Sequence, residues 1–146
     1  MSDRFFFILC FAWVALFIAG SALFRLNRCK PIFARAREGA LFTERWASGG
    51  GGIGGAENCL MVSVSPTRLI VMPQFPMTLM LLPELFGLEL DLAPRDIKRV
   101  IVSKRWFGTR LRIERNDGRR TFKLQLRKAN DFLSAIQQIG VPIERD

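Results

Sequence analysis

Twenty consecutive residues, Phe5–Phe24 (FFFILCFAWVALFIAGSALF), carry no charge. In a helix rising ~1.5 Å per residue, about 20 apolar residues cover the ~30 Å hydrocarbon core of a bilayer. Three readings of the stretch compete: a permanent single-pass helix, a cleaved signal peptide, and a lipoprotein signal ending at Cys10. The last fails because Leu9 stands where a small residue is needed and the apolar run before Cys10 is too short. A signal peptide has small residues to offer at Ala19-Gly20-Ser21-Ala22. Against it, Asp3 offsets Arg4 in the short leading segment, and Arg25, Arg28, Lys30, Arg35 and Arg37 follow, a poor sequence to draw through a translocon. The favoured expectation is a transmembrane helix over residues 5–26.

The flanks suggest an orientation. One basic residue precedes the run, and five lie between Arg25 and Arg37 with no acid among them. The positive-inside rule then places the C-terminal side in the cytoplasm and the N-terminus outside, in a cell (inner) membrane. Net charge is +9, and residues 95–128 hold thirteen Lys and Arg against Asp96, Glu114 and Asp117. A basic juxtamembrane block and a basic C-terminal half point to an anionic surface nearby. Cys10, Cys29 and Cys59 are widely spaced and show no metal-ligand pattern, as expected of free thiols in a reducing compartment.

The rest of the chain is expected to be one small, mainly β domain. Residues 27–57 form a basic connector and a glycine-rich loop. Pro31 and Gly39 interrupt any helix continuing from the membrane, and Ala40–Ser48 is a candidate first strand, with Leu41, Phe42 and Trp46 apolar enough to bury or to lie at an interface. The run SGGGGIGG (48–55) formally contains G-x-G-x-x-G, but that fingerprint needs a helix after it and a strand is expected here; it reads as a mobile loop. Leu60–Ser65 and Leu69–Met72 alternate about Pro66-Thr67 as a hairpin that pairs Val64 with Leu69 and Val62 with Val71. Pro73–Phe86 is rich in Phe, Met and Leu and broken by three prolines. It is read as buried, with Met77–Leu82 as a short strand, in preference to a loop dipping into the headgroup layer.

Gly87–Leu92 and Ile97–Arg105 follow as strands. Thr109–Arg115 and Arg119–Leu126 flank Asp117-Gly118, a favoured two-residue hairpin turn that pairs Ile113 with Phe122 and Leu111 with Leu124. The opposite face then presents Arg110, Arg112, Glu114, Thr121, Lys123, Gln125 and Arg127. Arg112 stands across from Lys123, a like-charge pair that an anion would relieve; the favoured reading of this face is a solvated surface kept polar against aggregation, with an anion site as the alternative. Residues 129–139 form an amphipathic helix through Phe132, Leu133, Ile136 and Ile139, capped near Asn130 and ended by Gly140 and Pro142, with a polar tail at 141–146.

The segment 87–140 resembles the second half of a bacterial pleckstrin-homology-like (PH-like) domain. A strand and turn at Leu92-Ala93-Pro94-Arg95-Asp96-Ile97, a hairpin at Asp117-Gly118-Arg119 and a helix carrying Phe132-Leu133 occur in the family's order, and the likeness extends over residues 58–140. It implies a small antiparallel split barrel of six to seven strands with a C-terminal capping helix. Phosphoinositide-binding members carry basic residues around the first hairpin loop. Here that loop is the glycine run, which has none, so the resemblance carries a fold and no binding residues.

No catalytic residue, cofactor site or metal site is expected. Histidine, the commonest general base, is absent. Glu89 and Asp91 share a strand face, but beside so many cations they are expected to be solvated or salt-bridged. Nucleic acid is not an expected partner, since aromatics are scarce among the basic residues. The expected function is a non-enzymatic membrane-held interaction module. It would bind a protein partner, with Phe75, Met77, Leu79 and Leu82 as contact candidates for partner or membrane, and with anionic lipid headgroups assisting at Arg110, Arg112, Lys123 and Arg127. The alternative is an assembly or regulatory subunit whose transmembrane helix binds other membrane proteins.

Overall fold

The computed structural model describes residues 3–36, 38–51, 54–79, 87–106, 108–119 and 121–146. Helix α1 (Asp3–Asn27) contains the whole apolar run and is long and apolar enough to cross a membrane. Its exposed face is a continuous wall of large apolar side chains, Phe5 to Leu26. The helix ends through a left-handed residue, Cys29 (φ 54°), in the position usually held by glycine. The amides of Cys29 and Lys30 fold back onto the carbonyls of Leu26 and Arg25 and satisfy the last turn.

Eight strands follow: β1 (Phe42–Gly50), β2 (Ala56–Val64), β3 (Leu69–Pro73), β4 (Leu90–Leu92), β5 (Ile97–Arg105), β6 (Gly108–Arg115), β7 (Phe122–Gln125) and β8 (Ile143–Arg145). They form one sheet in the order β4-β3-β2-β1-β7-β6-β5-β8. Both expected hairpin registers are present: Val64–Leu69 and Val62–Val71 in the first, Ile113–Phe122, Leu111–Leu124 and Arg112–Lys123 in the second. Helix α2 (Ala129–Gln138) buries Phe132, Ala135 and Ile136 in the core, with the Phe132 ring edge-on to Phe42 at 5.6 Å. Such aromatic pairs contribute about 0.5–1.5 kcal/mol beyond the area they bury.

Four expectations need correction. The sheet has eight strands, not six or seven, and is mixed: the tail beyond α2 returns as β8, parallel to β5, where the Val100 amide donates to the Pro142 carbonyl (2.9 Å) and the Asp146 amide to the Val102 carbonyl (3.0 Å) along an otherwise open edge. Ser48–Gly50 is strand and not loop. A Cβ on Gly49 would lie 2.5 Å from the Lys123 carbonyl oxygen and 2.8 Å from Leu124 Cδ2, so glycine here lets β1 approach β7 and joins the two halves of the sheet. Met77–Leu79 is a 3-10 turn and not the start of a strand, and residues 80–86 lie outside the described residues. The start of α2 has no side-chain cap of its own. Instead the Glu44 carboxylate of β1 accepts the amides of Arg127 (2.8 Å) and Lys128 (2.9 Å), a long-range contact that local spacing does not reveal.

Candidate functional site

Alternation on β6 and β7 places Leu111, Ile113, Phe122 and Leu124 inward and leaves Arg110, Arg112 and Lys123 exposed on the outer face. Arg127 is exposed just beyond β7. Two acids near this face, Glu114 and Glu144, are taken up at its far side. Arg99 of β5 bridges Glu114 (2.6 Å) and Glu144 of β8 (2.8 Å), and its hydrogen bond holds the Glu114 carboxyl below the usual carboxylate range. Among the described residues, no carboxylate forms a salt bridge with the side chain of Arg110, Arg112, Lys123 or Arg127. Exposed cations continue across the sheet, with Lys98 and Lys104 on β5 and Arg145 on β8.

The cationic face abuts a glycine-rich stretch, with Glu57 beside it. Gly50 pairs with Lys123, and Gly49, Gly54 and Gly55 border a shallow cavity of about 510 Å³ that Arg110 and Lys123 also line. The glycine run supplies no cations of its own, but strand pairing brings cations to it from seventy residues away. Sequence spacing could not show this, because it depends on β1 meeting β7.

A second, larger cavity of about 710 Å³ adjoins it, with Trp46, Ser48, Asn58, Gln125 and Arg127 in its wall. It exists because the β1–β2 pair bulges on both strands. The register slips on either side of Ala47, Trp46 (φ 65°) and Asn58 (φ 50°) take left-handed backbone conformations, and Arg45 with Trp46 and Glu57 with Asn58 all turn outward. Trp46 is 53 % exposed, whereas Phe42 of the same strand enters the core.

The juxtamembrane cations divide. Arg25 is fully buried (0 % exposed), donating to Glu89 Oε1 at 2.6 Å and to the Pro31 carbonyl at 3.1 Å. Lys30 reaches Glu89 Oε2 at 2.6 Å. Burial acts most strongly on Glu89 and pushes its carboxyl up. The hydrogen bonds from Lys30 and Arg25 with their charges outweigh it and hold the group below the usual carboxylate range. Asp91, its neighbour on β4, pairs with Arg68. Both acids are thus salt-bridged, as expected, but Glu89 is bridged to the end of α1, a partner the sequence did not suggest. Arg28 lies over the Phe24 ring at 4.5 Å, Arg35 is exposed, and Arg37 is outside the described residues.

The apolar contact candidates also divide. The turn Met77–Leu79 packs on α1, with Thr78 buried and Met77 against the core. Phe75 is exposed and stacked on Phe33, and Leu82 is outside the described residues. No group of His, Cys, Asp and Glu suited to a metal occurs among the described residues. No protein-family model matches the chain, and no curated protein is similar to it by sequence.

Proposed function

We propose that the chain is a single-pass membrane protein whose domain is PH-like and works as a non-enzymatic interaction module at the cytoplasmic face. It takes an acidic protein surface as partner, with anionic lipid headgroups assisting. The observation that carries this reading is the outer face of β6 and β7. Arg110, Arg112 and Lys123 stand together there with no salt bridge to a carboxylate among the described residues, whereas Arg68 and Arg99 are paired. Like charges directly across a strand pair destabilise it, and a bound anion removes that cost. The PH-like assignment is supported by the consecutive antiparallel strands, the pairing of β1 with β7, and α2 packed against β1 and β2. The orientation rests on the basic flank of α1.

Flotation of residues 38–146 tests the headgroup contribution. Vesicles containing phosphatidylglycerol should retain the domain at low salt, and pure phosphatidylcholine should not. The double substitution Arg112→Ala with Lys123→Ala should abolish retention. Binding that is indifferent to lipid charge and salt removes headgroups from the proposal. Photocrosslinking from position 123 of the full chain then identifies the protein partner, and an acidic contact surface is expected.

A further inference from the structure

α1 and the sheet domain meet in a specific joint. On α1, Ser21 and Arg25 are buried, one turn apart on a single face, and the turn Met77–Leu79 packs against the helix. If Phe5–Phe24 fills the hydrocarbon layer, Ser21 lies three residues, about 4–5 Å, inside its end. The part of the domain that touches this face therefore sits at the depth of the headgroup–acyl boundary, not in open cytoplasm. Two aromatic rings stand beside it. Phe33, three residues past Lys30, and Phe75, two residues before the turn, stack with centroids 5.4 Å apart, yet remain 58 % and 49 % exposed. They come from segments 42 residues apart and make a compact apolar projection, with exposed Arg28 and Arg35 near it in sequence. Aromatic rings flanked by snorkelling cations are favoured at that depth of a bilayer.

We propose that Phe33 and Phe75 form an aromatic foot inserted into the headgroup–acyl boundary of the bilayer that α1 crosses. The domain is then seated on the membrane at two points, the helix and the foot, and the cationic face of β6 and β7 is held at a fixed angle to the surface. The proposal rests on α1 being a membrane span, and its test separates the two. The full chain is reconstituted in nanodiscs of phosphatidylcholine, with or without bromine at carbons 6 and 7 of the acyl chain, a contact quencher of tryptophan. One reporter keeps Trp13 alone, through W46F and W106F. A second carries F75W in a W13F/W46F/W106F background, and a third carries F33W there, so that misfolding of one foot variant leaves the other to read. The foot predicts quenching at F75W and F33W of about half that at Trp13 or more, since interfacial residues meet the upper acyl carbons. Quenching at Trp13 with none at a folded F75W or F33W variant overturns the foot, keeps the membrane span, and leaves the rings to a protein partner or a second copy. No quenching at Trp13 overturns the membrane span and the foot together.

Discussion

The joint between helix and domain depends on one carboxylate, and Glu89→Gln is the sharpest way to probe it. Gln keeps the volume and one acceptor oxygen but removes the charge that compensates two cations. Removing one partner of a fully buried ion pair costs about 3–5 kcal/mol. Here Glu89 keeps 21 % of its side chain in solvent, and Arg25 retains the Pro31 carbonyl. The expected loss is therefore smaller, about 2 kcal/mol, or roughly 30-fold in the opening equilibrium at ~1.4 kcal/mol per tenfold. Hydrogen exchange reads it locally. The amides of Lys30 and Leu79, bonded to Arg25 and Pro76, should exchange about 30-fold faster, while Ile113 and Leu124 in the sheet keep their rates. Removing Arg25 and Glu89 together, with Arg25→Met and Glu89→Leu, should cost less than the sum of the single changes, because the fully buried Arg25 charge is no longer stranded and Lys30, 32 % exposed, can turn to solvent. The effect also has a pH sign. Because the native Glu89 carboxyl titrates below its ordinary value of 4.5, its stabilisation is complete above that value and is lost as pH falls through the lowered native one. Wild type and Glu89→Gln should differ at neutral pH and converge in strong acid. A change under threefold at Lys30 and Leu79, or equal acceleration throughout the sheet, would show that Glu89 does not clamp the joint.

Three further outcomes are expected. Glu44→Ala strands the amides of Arg127 and Lys128 and should lower stability by about 2–3 kcal/mol, seen as a fall in the urea midpoint with α2 losing protection first. Gly49→Ala forces a methyl against the Lys123 carbonyl and should cost about 1–3 kcal/mol by the same measurement, with exchange rising where β1 meets β7. Cys59 is buried, and burial raises its thiol pKa, so maleimide should label it more than ~10-fold slower than the exposed Cys29 in the native protein; comparable rates would mean that β2 is open.

Local pattern was a good guide wherever the partner residue lay a few positions away. The apolar run, the Pro66-Thr67 and Asp117-Gly118 hairpins with their registers, and the inward stripe of the closing helix were all legible, because periodicity and turn chemistry are short-range properties. The outward placement of Arg110, Arg112 and Lys123 followed from the same alternation. Trp46 was legible only as a residue that could go either way. The bulge that turns it outward depends on how β1 and β2 slip past each other, and neither strand signals this alone.

Hydropathy and alternation alone show that an uncharged apolar run precedes a mainly β domain, and that the Asp117-Gly118 hairpin turns a basic side outward, since neither needs reference to distant residues. Only the tertiary structure decided that Ser48–Gly50 joins the sheet, that Lys123 and Arg110 border the glycine run, that Glu44 caps α2, and that Glu89 seals Arg25 and Lys30 into the joint. Each of those contacts links residues 50 or more positions apart. Which of the many carboxylates and cations in such a chain meet is set by the strand order that closes the sheet, because an ion pair or a glycine contact needs atoms within a few ångströms and only the packed chain brings them there.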